Sequence, residues 1–571
     1  MDAQSLENRS LRSNSFKEIW GRMNKWMLVL AALHFALTFC TDGRIFTFEP
    51  FDFNFFIPLD GIAAKYYYLA AKALALICLV IFYQGFYLFY HAIRTKNRKF
   101  LLDFMLPFAV LFGFYIINFA ICFPGLYKID DTTMYAMATR YYPFYWHSYL
   151  TSLFYMVGLT IFPFSSGQMV LMDVFSALIF AYVFYRMSDA LPDKKWNKLK
   201  YLLLIVAVSP FMNTITLETF RTYVYAVLNM FFFAFLIFEK IQKKPFTLLK
   251  FLLLALCLGV LAFWRSESII YLVFAPFLIF AAYKHDISIK KALAFAVAGL
   301  AIFGAVNIPQ STGNTKYYNN DYWIVSTTRP LSVLLNLDGT TDYEGGGEDI
   351  AAIDAIINTD HIKLFPYDSI SYQSWNTITR EGRLSQTFST QEEQSEYIKA
   401  FFNIVLHNKT DFLKERLDLL IKTNYLQGAF RVDFGKELVR TADPTLPALA
   451  PYWQQNDDLN RSGITPRGMS ETGQAYWKAI TLANWPGIYT VIPCLLLAIF
   501  LVILAARYKA WLIFMTALLL LLREAIIFLT SPSAMISYYM PASLLSLFLG
   551  LTLIAFCVYN RKAKEKKKLF V

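Results

Sequence analysis

At 571 residues, with 57% hydrophobic, 18% aromatic and only 16% charged side chains, the chain is too apolar for a soluble enzyme, a disordered segment or a secreted disulfide scaffold; soluble domains run near a quarter charged. Apolar runs of about twenty residues recur along it, the length that a membrane-crossing helix needs. The net charge of +12 suits cytoplasmic loops facing anionic lipid, and no compact basic and aromatic domain argues for a nucleic-acid partner.

The polar N-terminal tail carries Arg9, Arg12, Lys17, Arg22 and Lys25 ahead of the first apolar run. That run ends at Thr41, Asp42 and Gly43 without a small-residue cleavage pattern, so it reads as an anchoring helix rather than a cleaved signal. Further runs follow near 66–90, 101–122, 168–187, 200–217, 221–238, 249–264, 268–283, 290–307, 484–506, 510–529 and 535–557. With the first, near 26–41, they predict an all-α polytopic membrane protein of about twelve spans.

One run, near 148–164, is shorter and is broken by Pro163 and by Ser165, Ser166 and Gly167. Short cytoplasmic loops collect Lys and Arg. If 148–164 does not cross, the N-terminal tail, the clusters at 94–99, 194–198, 239–244, 284–291 and 507–509, and the Lys-rich tail after Arg561 all face the cytoplasm. If it crosses, the charge rule fails at every later loop. The expectation is therefore a juxtamembrane helix lying on the outer surface, with both termini inside.

The outer side then holds a loop at 42–65, the segment 123–167 and one polar insertion at 308–483. This divides the chain into a transmembrane module at 1–307, the insertion, and C-terminal spans with a basic lipid-facing tail at 484–571. The insertion reads as mixed but mainly helical, with helical periodicity at 393–406 and 411–421. Residues 338–349, acidic and glycine-rich, read as a solvated turn; the EF-hand spacing is absent. The six cysteines (Cys40, Cys78, Cys122, Cys257, Cys494, Cys557) sit in or beside apolar runs with no CxxC pair, the pattern of buried thiols rather than of disulfides or a zinc site.

Neither a nucleotide-binding glycine loop nor a dinucleotide fingerprint occurs, so energy must arrive in the substrate or in an ion gradient. The densest polar candidate is 123–133, with Asp130 and Asp131 just past a helix end, running on to His147. An interfacial aromatic belt already accounts for the Tyr and Trp residues around them. Three other outer ends carry paired charges: Glu218 with Arg221, Arg265 with Glu267, and Arg523 with Glu524. Each pair alone reads equally well as a structural ion pair. Together with Asp130 they would ring an outward-facing site suited to an anionic ligand whose phosphate is held and then released with more charge.

On these residues the chain resembles the bacterial GT-C-type membrane glycosyltransferases. The matching pattern is Pro124 and Gly125, Asp130 five residues after that glycine, then Tyr142 and Pro143 with His147 and an apolar surface helix. Trp264, Arg265 and Glu267 with Tyr271, the stretch 407–420, and Tyr538 to Pro541 resemble later segments of the same group. The pattern departs at Met134, where a polar residue is usual, and at Ser148, where proline follows the histidine. The resemblance implies a polyprenyl-phosphate-linked sugar donor, a cell-envelope glycan or lipid acceptor, and inverting transfer on the extracytoplasmic face of the bacterial cytoplasmic membrane. It implies Asp130 as general base, supported by Asp131, with His147, Glu218, Arg221, Arg265, Glu267, Arg523, Tyr538 and Tyr539 binding substrate. A divalent cation, Mg2+ or Mn2+, on the adjacent aspartates stays open. Two other readings remain: a polysaccharide polymerase or ligase using a diphosphate-linked glycan, and a lipid-linked glycan transporter whose charges would line a path across the membrane.

Overall fold

The computed structural model describes residues 23–46, 61–318, 322–364, 388–424 and 490–562, with short interruptions at 124, 126–128, 146, 165, 191–197, 199, 218–220, 389 and 533–535, and isolated positions near 472–475. The described elements are helices joined by turns. The first, α1 (Lys25–Ile45), opens on Asn24, whose side chain accepts from the amides of Trp26 and Met27 and so occupies two otherwise unpaired donors. Next come α2 (Gly61–Arg94) and α3 (Arg98–Ile121), the latter widened by a π turn over Leu101–Met105.

A helical hairpin follows, formed by α4 (Ile129–Ala138) and α5 (Tyr149–Ile161). The chain then runs through α6 (Gly167–Ala190), α7 (Lys200–Ala207), α8 (Pro210–Leu217), α9 (Arg221–Ile241), α10 (Leu248–Trp264), α11 (Ile270–Tyr283) and α12 (Ile289–Tyr318). The insertion contributes α13 (Tyr322–Leu334), α14 (Gly346–Asp354), α15 (Thr359–Leu364), α16 (Gln391–His407) and α17 (Lys409–Thr423). The chain closes with α18 (Ile492–Arg507), α19 (Trp511–Thr530) and α20 (Met540–Lys562).

Among the described residues nine helical stretches are long and apolar enough to cross a membrane: α1, α2, α3, α6, α9, α11 with the turn before it, α12, α19 and α20 with the turn before it. Their outward faces carry Leu30, Leu33, Leu37, Ile77, Ile81, Val297 and Leu300, all exposed. That much exposed apolar surface requires a hydrocarbon solvent. The protein is a polytopic helical membrane protein. Three predicted runs are not single long helices. Run 200–217 breaks between α7 and α8 just ahead of Pro210, which has no N–H to continue the ladder. Helices α10 and α18, of 17 and 16 residues, rise about 25 Å against a hydrocarbon core of about 30 Å.

Helix α5 has 13 residues and rises about 20 Å, too short to cross. Its packing differs from that of a helix lying flat on a surface. Tyr149 stands beside Tyr67 on α2, and Val157 and Ile161 join Ala75 and Leu79 further along α2, so α5 runs lengthwise on that span. Ten of its residues are buried. A tight reversal into α6 explains the break in the run: a Cβ on Gly158 would stand 2.5 Å from Gln168 Cα, and one on Gly167 would meet the Phe162 carbonyl. Neither position has room for a side chain.

The insertion has its own core, with Ile324, Leu331 and Leu334 of α13, Ile353 of α14, and Tyr397 and Ile404 of α16. Helices α16 and α17 cover the two predicted periodic stretches. Helix α16 starts on a capping box between Thr390 and Glu393. The predicted turn at 338–349 ends earlier than expected, because α14 begins at Gly346 with Glu348 and Asp349 in its first turn, where acidic groups suit the helix dipole. Helix α12 also runs past residue 307 to Tyr318 without a break. The insertion is tied to the bundle from the middle of α17 and from the residue that follows it. Arg416 Nη1 donates to the Ser531 carbonyl at 2.7 Å, and Asn424 Oδ1 accepts from the amide of Val491 at 2.7 Å.

Candidate functional site

Helix α19 carries Arg523 and Glu524 seven residues inside its Thr530 end, about 10 Å along the axis. Across from them the chain leaves α10 at Arg265, which is extended, and makes a 3-10 turn over Ser266–Ile269 before α11 begins. That break brings Arg265 and Glu267 together: Arg265 Nε donates to Glu267 Oε1 at 2.8 Å. Arg523 Nη2 donates to the same oxygen at 2.7 Å, and its Nη1 donates to Glu524 Oε1. The two charge pairs read separately in the sequence are thus one network, with Glu267 as its hub. Arg523 is fully buried and the others nearly so. Buried charges persist only when paired and hydrogen-bonded, and these are.

Aromatic faces complete the surround. The Arg265 guanidinium lies 5.5 Å from the Tyr538 ring centroid, and Arg523 lies 5.1 Å from that of Tyr225. Tyr225 is itself fixed by a 2.6 Å hydrogen bond with Ser268 Oγ. Tyr539 lies within electrostatic reach of Glu524 and Arg523. Of the two tyrosines expected from sequence, Tyr538 touches the network directly, and Tyr539 follows it in the same 3-10 turn.

His147 belongs to an adjoining layer. Arg221, the first residue of α9, bonds His147 Nδ1. An arginine can only donate, so Nδ1 is the acceptor and the ring proton sits on Nε2. The ring meets Phe144 edge-on at 4.9 Å. The backbone here is held by Gln310 of α12, whose Nε2 donates to the His147 carbonyl at 3.0 Å and whose Oε1 accepts from the Tyr149 amide at 3.1 Å. Arg221 and Tyr225 are one turn apart on α9, so the His147 layer stacks directly on the Arg523 network. A second stitch runs from Trp264 Nε1 to Thr151 Oγ1 at 3.1 Å, joining the residue before Arg265 to the first turn of α5. Arg221 thus bonds His147; Glu218, which the sequence pairs with Arg221, lies outside the described residues.

The turn that ends at Gly125, whose amide donates to the Cys122 carbonyl at 2.8 Å, has a clear physical basis. Gly125 has φ +105°, a conformation other residues rarely adopt. A Cβ there would stand 3.0 Å from both the Leu217 carbonyl and Met169 Cε. The turn therefore abuts the end of α8, where Glu218 follows, and the start of α6. It leads into α4, which begins at Ile129, so Asp130 and Asp131 open a helix and do not stand in a loop. Their side chains lie outside the described residues. Among the described residues no three His, Cys, Asp or Glu side chains come together to hold a metal ion. A Mg2+ or Mn2+ site stays an expectation on Asp130 and Asp131 alone.

Sequence reasoning passed over Gln310, Tyr225 and Arg416. Only Arg416 left a visible signal, a charge on the same helical stripe as Phe412, Leu419 and Thr423. Other ion pairs close on themselves away from this site. Asp42 and Lys72 meet at 2.7 Å between α1 and α2, and at the far end of α9 Glu239 takes Arg186 at 3.1 Å together with Lys250.

No family model matches the chain, and no curated protein or solved structure does either.

Proposed function

We propose that the protein is a GT-C-type membrane glycosyltransferase that moves a sugar from a polyprenyl-phosphate donor to a cell-envelope glycan or lipid acceptor, with inversion. The observation that carries this reading is the buried Arg265–Glu267–Arg523–Glu524 network, stacked on the Arg221–His147 layer and walled by Tyr538. Two guanidiniums held in place by carboxylates suit a phosphate, since each offers a planar fork of donors and stays charged. A carboxylate hub orients them and keeps their charge from being prohibitive before the ligand arrives.

The chemistry follows from the roles of the residues. Asp130, opening α4, takes the proton of the acceptor hydroxyl. The acceptor oxygen attacks the anomeric carbon from the face opposite the phosphate. The bond from that carbon to the phosphate oxygen breaks, and its electron pair stays on the phosphate. The leaving group gains one negative charge at that moment, and Arg265 and Arg523 meet it. Asp131 supports Asp130, and His147 positions the acceptor or the phosphate. One displacement inverts the centre.

This reading carries a topology. Counting the α7–α8 pair, α10 and α18 as crossings gives about twelve spans in the bacterial cytoplasmic membrane, with both termini inside and the site and insertion outside. A donor anchored in lipid then meets an aqueous or lipid acceptor at the outer helix ends. The Arg221–His147 contact also suits a polymerase or ligase acting on a diphosphate-linked glycan, a chemistry that leans on Arg and His. One experiment separates the two. Purified protein is incubated with a panel of polyprenyl-phosphate sugars and diphosphate-linked glycans, and the released lipid is identified. Release of polyprenyl phosphate supports the transferase; release of the diphosphate alone supports the polymerase; release of neither overturns both.

A further inference from the structure

Arg416 belongs to the insertion, yet it is among the most deeply buried side chains of the protein, with no exposed surface. Its Nη1 donates to the Ser531 carbonyl just past α19, and its Nε bonds Glu415 Oε2. The other oxygen of Glu415 accepts from Arg329 Nε at 2.7 Å, so this one carboxylate serves two guanidiniums. Burial pulls the Arg416 guanidinium below its ordinary pKa and Glu415 opposes the shift; arginine remains charged all the same.

Arg416 Nη2 is buried and has no hydrogen-bond partner. Of the buried charged atoms that share that condition, Arg523 Nε and Glu524 Oε2 belong to the network that α19 supplies. Ser531, whose carbonyl takes Arg416 Nη1, follows Thr530 at the end of the helix that carries Arg523 and Glu524. Helix α17 thus sets a charged group with an unused donor against the end of α19, the helix that supplies Arg523 and Glu524. Desolvated charged donors are costly when left without acceptors, and native structures keep few of them without a functional reason. An anion with several acceptor oxygens is the ligand chemistry that satisfies guanidiniums arriving from two sides.

We propose that Arg416 is a further guanidinium of the donor-phosphate site, delivered by the insertion, so that a bound phosphate bridges α17 to the Arg265–Arg523 network. The proposal rests on the polyprenyl-phosphate reading above and adds a role for the insertion: donor binding and insertion docking are one event. It predicts that α17 is held more firmly when the phosphate is present.

The test uses the full chain in nanodiscs of uncharged lipid, with three probes: undecaprenyl phosphate, undecaprenol and inorganic phosphate. Binding is titrated, and amide hydrogen exchange is followed across 409–423. Wild-type protein should bind undecaprenyl phosphate, and exchange in α17 should slow with that probe and not with undecaprenol. Arg416→Ala should weaken binding about ten- to a hundredfold, the range of lost hydrogen bonds to a charged group, and Arg416→Lys should recover part of it. Unchanged affinity in Arg416→Ala, or unchanged α17 exchange in the wild type, overturns the proposal. The exchange measurement needs no variant, so a misfolded Arg416→Ala does not leave the matter open. If Arg265→Ala loses undecaprenyl phosphate while Arg416→Ala keeps it, the bridging role fails and the transferase reading stands. If the wild type binds none of the probes, the polyprenyl-phosphate reading itself fails. Equal protection of α17 by inorganic phosphate marks a free-phosphate site and overturns the donor assignment.

Discussion

Glu267 is the side chain on which the proposed phosphate site turns, because one of its oxygens takes both Arg265 at 2.8 Å and Arg523 at 2.7 Å. A Glu267→Gln change keeps the shape and removes the charge. Both arginines are buried, so each loses a charge-assisted bond to Glu267. Removing one partner of a buried pair costs about 3–5 kcal/mol. The lower end applies here, because Glu524 still compensates Arg523. About 3 kcal/mol, expressed as lost alignment of the arginines against the leaving phosphate, is about 150-fold in kcat/KM. The assay is single-turnover release of polyprenyl phosphate from wild type and variant in nanodiscs, alongside titration of undecaprenyl phosphate. Since an uncompensated arginine still attracts an anion, binding should change less than turnover. A Glu267→Gln protein that folds and turns over at the wild-type rate refutes the reasoning.

Arg265→Ala should weaken donor binding and turnover about tenfold or more while the protein stays folded by thermal unfolding, and Arg265→Lys should restore only part because it lacks the planar fork. Gly125→Ala should be destabilised by more than about 1 kcal/mol, since φ +105° and contacts at 3.0 Å leave no relaxed place for a methyl, and Tm read against wild type checks it. The topology is checked with cysteines placed at Lys194 and Gly347 in a cysteine-free background: an impermeant reagent applied to intact cells should label only the second. Gly347 is chosen because a Cβ there meets open space, whereas one on Gly346 would strike the Thr341 carbonyl. Labelling at Lys194 refutes the orientation.

Much of the architecture is legible in the sequence because a membrane imposes one strong rule, long apolar helices with charge at their ends. The short α5 helix showed itself through Pro163 and the Ser165–Gly167 stretch, and its 13 residues are too few for a span of their own. Its direction was not legible, because packing along α2 is set by partners such as Tyr67 and Leu79, far away in the chain. The charged residues of the site were visible as pairs. That Arg265, Glu267, Arg523 and Glu524 form one network was not, since it depends on a 3-10 turn 256 residues away from Arg523. Gln310 gave no signal at all: it is an ordinary polar residue in an apolar helix until the backbone at His147 and Tyr149 is set against it. The contact of Arg221 with His147 was not legible for a related reason, because the two residues lie 74 positions apart in the chain.

The central claim, transfer of a sugar from a lipid phosphate with Asp130 as base, is tested most directly by measuring polyprenyl-phosphate release in parallel for wild type, Asp130→Asn and Asp131→Asn. Asparagine preserves the side-chain shape and cannot take the acceptor proton. Asp130→Asn should therefore fall by at least about 10²-fold, the loss typical of a missing general base, while expression and donor binding persist and Asp131→Asn falls less. An active Asp130→Asn beside an inactive Asp131→Asn would move the base one residue along the helix; normal release from both variants would contradict the account.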